Sequence, residues 1–286
     1  MDIHWTTPEA SPALPGTAMQ QHPTYARALA AFGRSSIVAD IFDQGQRAGR
    51  AQVALRQIGP LRLAWLVRGP VWLGDAHPQG LKLLQRAAPW PALWAAAPQN
   101  APPRGLRMGP APQMAEIDLR ADEATRRAAL HGKWRNRLRR AEEAGLNITI
   151  CPCRLPRDGA LLMREVAQRK ARGYAGLPPR FTAAWIAADP SGSLLVEARQ
   201  GPQTLAFMLF LRHGDRATYH AGWSGARGRA LNAHNLILWR ACRALAQSGC
   251  TGLDLGRVDT APPGLKRFKT GAGAHITGLC ATHLSV

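Results

Sequence analysis

Residues 193–224 hold three consecutive runs, SLLVEARQ, QTLAFMLFLR and RATYHAGWS, separated only by the short turn signals GP and HGD. Runs this rich in aliphatic, aromatic and β-branched residues read as strands. Connections of so few residues join strands side by side in opposite directions. A meander of three antiparallel strands is therefore required in the second half of the chain, and an all-helical fold is excluded. The first half repeats the theme. SSIVADIFD (35–43), RAQVALRQI (50–58) and LRLAWLVRG (61–69) follow one another across QGQRAG and GP.

Helical spacing frames both meanders. TYARALAAF (24–32) ends at Gly33, and QGLKLLQRA (79–87) follows the first three strands. The proline-rich stretch 89–113 reads as a connector or irregular cover, because proline removes the donors a regular element needs. Residues 121–146 read as one long helix. It has Asp122 and Glu123 in the first turn, Gly145 at the end, and Leu130, Trp134, Leu138 and Ala141 in one apolar stripe. Its other face carries Arg126, Arg127, Lys133, Arg135, Arg137, Arg139 and Arg140. Further helices are expected near 158–171 and 230–248, the second leading into the short strand TGLDLG (251–256). The whole reads as a mixed α/β chain of two halves.

Charge narrows the partner. The chain has 37 Lys and Arg against 18 Asp and Glu in 286 residues. Much of the arginine and alanine excess follows the pattern of genome composition, but the deficit of acids remains and favours an anionic partner or substrate. Five scattered cysteines form no disulfide framework, and the CPC at 151–153 lacks a second pair at metal-site spacing. No apolar run reaches membrane-spanning length, and the first residues lack the pattern of a secretory signal. A cytoplasmic protein is expected.

Three stretches carry chemistry. HAGWSGARGRALNAHNLILWRA (220–241) places Gly222, Gly225 and Gly228 before a helix, where backbone N–H groups and the positive helix end suit an anion. Arg227 and Arg229 are placed to clamp a pyrophosphate. Tyr219, Asn235 and Arg257 join them as candidate substrate contacts. GLDLGRVD (252–259) sets Asp254 inside an apolar strand, where it either anchors a loop or orients an amine, and Asp259 in the loop beyond, with both as candidate proton acceptors. GLKRFKTGAG (264–273) holds Lys266 and Lys269, two of only five lysines beside 32 arginines. A lysine ammonium is a compact donor to a carbonyl oxygen that gains negative charge, which a planar guanidinium matches less well.

Taken together, HPTY…LVRGPVW (22–72), GKWRNRLRRAEEAGL (132–146), ATYHAGWS…NAHNLILWRACRALAQSGCTGLDLG (217–256) and LKRFKTGAG (265–273) resemble the FemAB-like transferases of the GNAT superfamily, in the chain order of that family. The resemblance implies two tandem GNAT-like subdomains, each a mostly antiparallel sheet flanked by helices. They are expected at 1–118, with 272–286 packing back on it, and at 119–271. It implies transfer of an aminoacyl group from aminoacyl-tRNA to the amine of a peptidoglycan-precursor peptide or other small peptide. Lys269 then stands at the reacting carbonyl, with Phe268 packed beside it. Lys133, Arg135, Arg137, Arg139 and Arg140 are the expected tRNA contacts.

The chain has no lysine before Lys82. Arginine therefore replaces the lysine with which many family members hold precursor phosphates, or the acceptor differs. It also lacks the long coiled-coil arm of some relatives. No bound cofactor and no metal are expected, because the carbonyl is already activated. The donor is a co-substrate: aminoacyl-tRNA, or acyl-CoA in the alternative of an N-acetyl- or N-acyltransferase. A non-enzymatic basic protein that binds RNA or a membrane surface is the further alternative.

Overall fold

The computed structural model describes residues 1–99 and 104–285, which divide into two units. The first comprises Met1–Gln113 together with the residues from Thr277 onward, and the second comprises Met114–Ile276. The expected boundaries lay at 118/119 and 271/272.

In the first unit, β1 (Asp2–Thr6), α1 (Pro23–Ala30), β2 (Ser35–Asp43), β3 (Gln46–Ile58), β4 (Leu61–Val67), β5 (Val71–Trp72), α2 (Gly80–Ala87), β6 (Leu93–Ala97) and β7 (Leu106–Arg107) follow one another. The last strand of the chain, β15 (His283–Ser285), joins them, giving the order β1-β2-β3-β4-β6-β15-β7 with β5 on β3. The three strands of the first meander are present, and Ala39, Ile41, Ala51, Val53, Ala64 and Leu66 line the core beneath them. The proline-rich stretch is not a mere connector. It contributes β6, which runs parallel to β4 and buries Trp94, because the prolines flank LWAAA without interrupting it.

The RGP segment of this unit has a packing explanation. The Gln21 side chain donates to the carbonyls of Gln52 (3.0 Å) and Val67 (2.8 Å) and accepts from the Gln52 N–H (2.7 Å). It lies so close to Gly69 that a Cβ there would fall 2.6 Å from Gln21 Cδ. Beside it Arg50 is buried, donating to Ser11 Oγ (3.0 Å) and to the Gln21 carbonyl (2.5 Å). Burial lowers the Arg50 guanidinium to about 10, a fall that Asp40 opposes.

The second unit runs β8 (Gln113–Asp118), α3 (Glu123–Ala128), α4 (Gly132–Glu143), β9 (Asn147–Cys151), α5 (Leu155–Arg172), α6 (Pro179–Ala188), β10 (Ser193–Gln200), β11 (Gln203–His213) and β12 (Arg216–Ser224). Then come α7 (Ala226–Ala230), α8 (Ala233–Gln247), β13 (Gly252–Arg257), α9 (Pro263–Gly271) and β14 (His275–Gly278). The sheet order is β14-β8-β13-β12-β11-β10-β9. β10, β11 and β12 are the antiparallel meander read from the sequence. β8 lies between β13 and β14, so residues placed at the end of the first half by the sequence reading belong to the second sheet.

The expected long helix at 121–146 is two helices. His131 donates its N–H to the Gly271 carbonyl (3.1 Å), a long-range bond that holds the backbone out of the helical path at 129–131. The apolar stripe holds: Leu130, Trp134, Leu138 and Ala141 are all buried, in one cluster with Leu236, Ile237 and Trp239 of α8. The expected helix at 230–248 is likewise divided, with Asn232 left-handed at φ 54° between α7 and α8. Asparagine is among the few residues that visit this region at little cost.

Candidate active site

β12 and β13 are parallel neighbours, yet they pair only from Arg216–Thr218 against Gly252–Asp254. Beyond that point β12 follows β11 to Ser224, while β13 runs to Arg257 along β8. Each strand is also irregular where they part. His220 is the extra residue between Leu209↔Ala221 and Phe210↔Tyr219, and β13 shifts register against β8 between Asp254 and Arg257. Bulges bend a strand and re-aim its side chains, and a crevice between the carboxyl ends of adjacent parallel strands is where α/β sheets place ligands.

Lys269 stands at this opening. It lies on α9, is only 6% exposed, and donates from Nζ to the Arg257 carbonyl at 2.8 Å. Gly256 has φ +79°, and a Cβ there would sit 3.6 Å from Nζ. The buried Asp254 accepts from the Gly256 N–H at 2.6 Å, which holds the turn, and its charge favours the lysine cation. Burial outweighs that help and lowers the Lys269 ammonium to about 8. An ammonium has three protons to donate. Among the described residues, one bond to protein is present, to Arg257.

Around this centre the structure gathers the aromatic residues. Phe268 packs on Trp134 (ring centroids 6.0 Å) and on His234 (6.3 Å), and Trp134 Nε1 donates to the Phe268 carbonyl at 3.0 Å. His234 Nε2 faces the carbonyls of Trp223 (3.0 Å) and Phe207 (3.3 Å). Two carbonyl partners assign it as the donor, and burial lowers the imidazole from its ordinary value against the opposing pull of those two carbonyls. Tyr219 lies in β12 beside the bulge, its phenol raised by burial and then by Tyr174 and Glu165.

Other sequence candidates are placed differently from one another. Arg257 forms an ion pair with Asp259 at 2.5 Å. Gly225 caps α7, and its N–H is taken by the Leu205 carbonyl at 2.9 Å. Arg229 donates to the Ser224 carbonyl, whereas Arg227 is exposed with no partner among the described residues. Gly222 and Gly228 are accounted for by close approach. A Cβ would fall 2.5 Å from Tyr219 Oη at the first and 2.4 Å from the Leu205 carbonyl at the second. Asn235 is buried on α8, with Nδ2 unpartnered among the described residues.

The basic helices are less free than the sequence implied. Arg127 pairs with Glu142 (2.7 Å), and Arg126 donates to the Leu119 carbonyl (3.0 Å). Arg135 donates to the carbonyls of Ala128 (2.9 Å) and Leu130 (3.0 Å), closing the end of α3, and Arg139 lies 4.0 Å from Glu143. Lys133, Arg137 and Arg140 remain exposed without partners among the described residues.

The sequence reading missed one cluster. Glu165 on α5 is buried, accepts from Tyr174 Oη at 3.1 Å, and has Arg169 at 3.7 Å. Gln168 Nε2 donates to Tyr174 Oη and to the Gly222 carbonyl, both at 3.2 Å, tying the cluster to β12. The available signal was position: Glu165 falls seven residues after Asp158 and four after Leu161, on the face that α5 turns inward. All five cysteines are free, and burial pushes the Cys153 and Cys242 thiols up to about 12.

The family described as Acetyltransferase (GNAT) domain matches residues 128–270. No curated protein sequence matches the chain. Among solved structures, FemX is similar with a TM-score of 0.77 at 12% identity, covering 97% of this chain and 95% of FemX. A tandem GNAT protein from the clavulanic acid biosynthesis pathway is similar with a TM-score of 0.57 at 11% identity, covering 99% and 98%. The C-terminal domain of a putative lysylphosphatidylglycerol synthetase from Agrobacterium fabrum gives 0.57 at 15% identity, covering 93% and 89%. The two-sheet architecture is therefore that of tandem GNAT proteins.

Proposed function

The chain belongs to the acetyltransferase (GNAT) family and is an acyltransferase, and from that premise we propose that it moves an aminoacyl group from aminoacyl-tRNA to the amine of a small peptide acceptor. The observation that carries the reading is Lys269, a buried ammonium at the opening of β12 and β13 with one proton given to the Arg257 carbonyl. A charge kept in such a place at the expense of desolvation is explained by work done there.

In the proposed step the acceptor nitrogen attacks the ester carbonyl of the donor. The C–O bond to the ribose breaks, and the proton lost by the amine ends on the released hydroxyl. Lys269 donates to the carbonyl oxygen as negative charge develops on it. Phe268, held between Trp134 and His234, fixes the lysine's helix. Asp254 holds the Gly256 turn and favours the cation. Asp259 keeps Arg257 in place through their ion pair. Tyr219, Asn235, Gly225, Gly228, Arg227 and Arg229 are proposed to bound the substrate, with Lys133, Arg137 and Arg140 against the tRNA backbone. A peptidoglycan-precursor peptide is one acceptor of the required kind. Acyl-CoA is the second reading, favoured by the family match itself.

The test is label transfer by purified protein and by Lys269→Ala, supplied with labelled aminoacyl-tRNA or labelled acyl-CoA and an extract of the native host. Transfer from tRNA that falls at least about a hundredfold in the variant, the cost of losing one oxyanion donor, supports the aminoacyl reading. Transfer from acyl-CoA alone replaces it with the second. Equal transfer by both proteins removes Lys269 from the mechanism.

A further inference from the structure

The β3–β4 hairpin of the first unit presents an apolar face that its own sheet does not cover. Ile58 pairs with Leu61, Arg56 with Leu63 and Ala54 with Trp65, so these six side chains share one face. At the hairpin end Ile58 is 49% exposed and Leu61 47%, and Trp65, four residues further along β4, is 49% exposed. Large apolar side chains clustered this way mark an interaction surface. The same face continues into a pocket of about 300 Å³ lined by Tyr25, Leu29, Ser36 and Val67, with Arg34 and Arg56.

The charges on this face say what covers it. The register pairing Ser35 with Leu55 brings Arg34 opposite Arg56 at the next position. Neither guanidinium has a hydrogen bond or ion pair among the described residues, and like charges set opposite each other repel. The chain has no acid between Asp43 and Asp75. Exposed aliphatic side chains at a protruding tip, a half-exposed tryptophan and unpaired arginines form the combination that settles into a headgroup layer.

We propose that this face docks the protein on an anionic lipid bilayer. Ile58, Leu61 and Trp65 enter the boundary of the acyl region, and Arg34 and Arg56 meet lipid phosphates. The proposal is independent of the transferase reading, since no residue of the candidate active site takes part.

Sedimentation of the full chain with vesicles tests it. Vesicles of phosphatidylcholine with 30% phosphatidylglycerol (about 0.3 mole fraction, a strongly anionic surface) are expected to bind it, and pure phosphatidylcholine is not. Arg34→Gln/Arg56→Gln weakens binding about thirtyfold, at about 1 kcal/mol for each arginine near the surface. Ile58→Ser/Leu61→Ser weakens it on the order of tenfold. Lys170→Gln/Arg154→Gln, which removes equal charge at the two ends of α5, leaves it within about twofold. Brominated lipid quenches tryptophan emission in the parent, and Trp65→Phe loses that quenching. Binding that falls equally with the α5 pair, or binding without Trp65 quenching, overturns the proposal in favour of general attraction of a basic protein. A dimer in gel filtration that Ile58→Ser/Leu61→Ser dissolves, with vesicle binding unchanged, overturns it in favour of an interface between copies of the chain.

Discussion

Lys269 is the residue whose surroundings set the clearest chemical demands. Its ammonium is lowered to about 8 from an ordinary value near 10.5, first by burial and against the help of Asp254. Below pH 8 the group is charged in folded and unfolded chains alike, and the folded chain bears the whole desolvation penalty. Between about 8 and 10.5 the folded state releases its proton first, so this residue makes stability rise with pH in that window. Lys269→Met is therefore expected to unfold at higher urea than the parent at pH 7, by roughly 1–3 kcal/mol, with the gap closing above pH 10.5. Activity moves the other way. If the charged form donates to the oxyanion, kcat/KM of the parent falls as pH rises through about 8. A rate that stays level to pH 9.5 would sink the charged-donor role. Lys269→Arg is not expected to rescue it, because the planar fork does not reproduce a compact donor.

At the scale of elements, Trp134 ties α4 to α9, beside the His131–Gly271 backbone bond. Trp134 packs on Phe268, caps its carbonyl through Nε1, and lies 3.0 Å from where a Cβ on Gly271 would stand. Trp134→Leu is expected to cost about 2–4 kcal/mol in urea unfolding. It should also lower kcat while leaving KM for the donor nearly unchanged, since α9 positions Lys269. A mutant with lost stability but normal kcat would show that α9 holds its place without this contact. In the first unit, Gln21 is the comparable tie. Gln21→Ala leaves the Gln52 N–H and two carbonyls without their partner, at about 1–3 kcal/mol for the buried donor, and differential unfolding of the variant measures it.

For the whole molecule, the charge is better read as a surface of limited capacity than as the excess of 37 cations over 18 acids. Of seven cations along α3 and α4, four are engaged within the protein and Lys133, Arg137 and Arg140 are open. If these three contact tRNA, log affinity falls against log salt with a slope of about −2 to −3, and the triple glutamine variant flattens it. An acyl-CoA donor predicts no difference between parent and variant in this measurement. Among the described residues no helix is long and apolar enough to cross a membrane.

The strands of both meanders were legible because local alternation and short turn signals need no distant partner. So was the apolar stripe of Leu130, Trp134, Leu138 and Ala141, which helical spacing alone places on one side. The elements missed were short or opened by proline. Examples are α6 at Pro179 and α9 at Pro263, each with proline in its first turn. β6 and β8 become strands only because β4 and β13 offer them hydrogen bonds. The candidate site divides in the same way. Lysine at 269 and aspartate at 254 stand out as residue types in their runs. Their meeting at the Gly256 turn, the desolvation of the ammonium and the approach of Glu165 to Tyr219 arise from distant segments. Sequence by itself determined which stretches bend, alternate and bury one face, since those depend on neighbours along the chain. Only the tertiary structure decided which arginines are spent, where the helix at 129–131 breaks and which lysine loses its water, because each depends on groups brought near by folding.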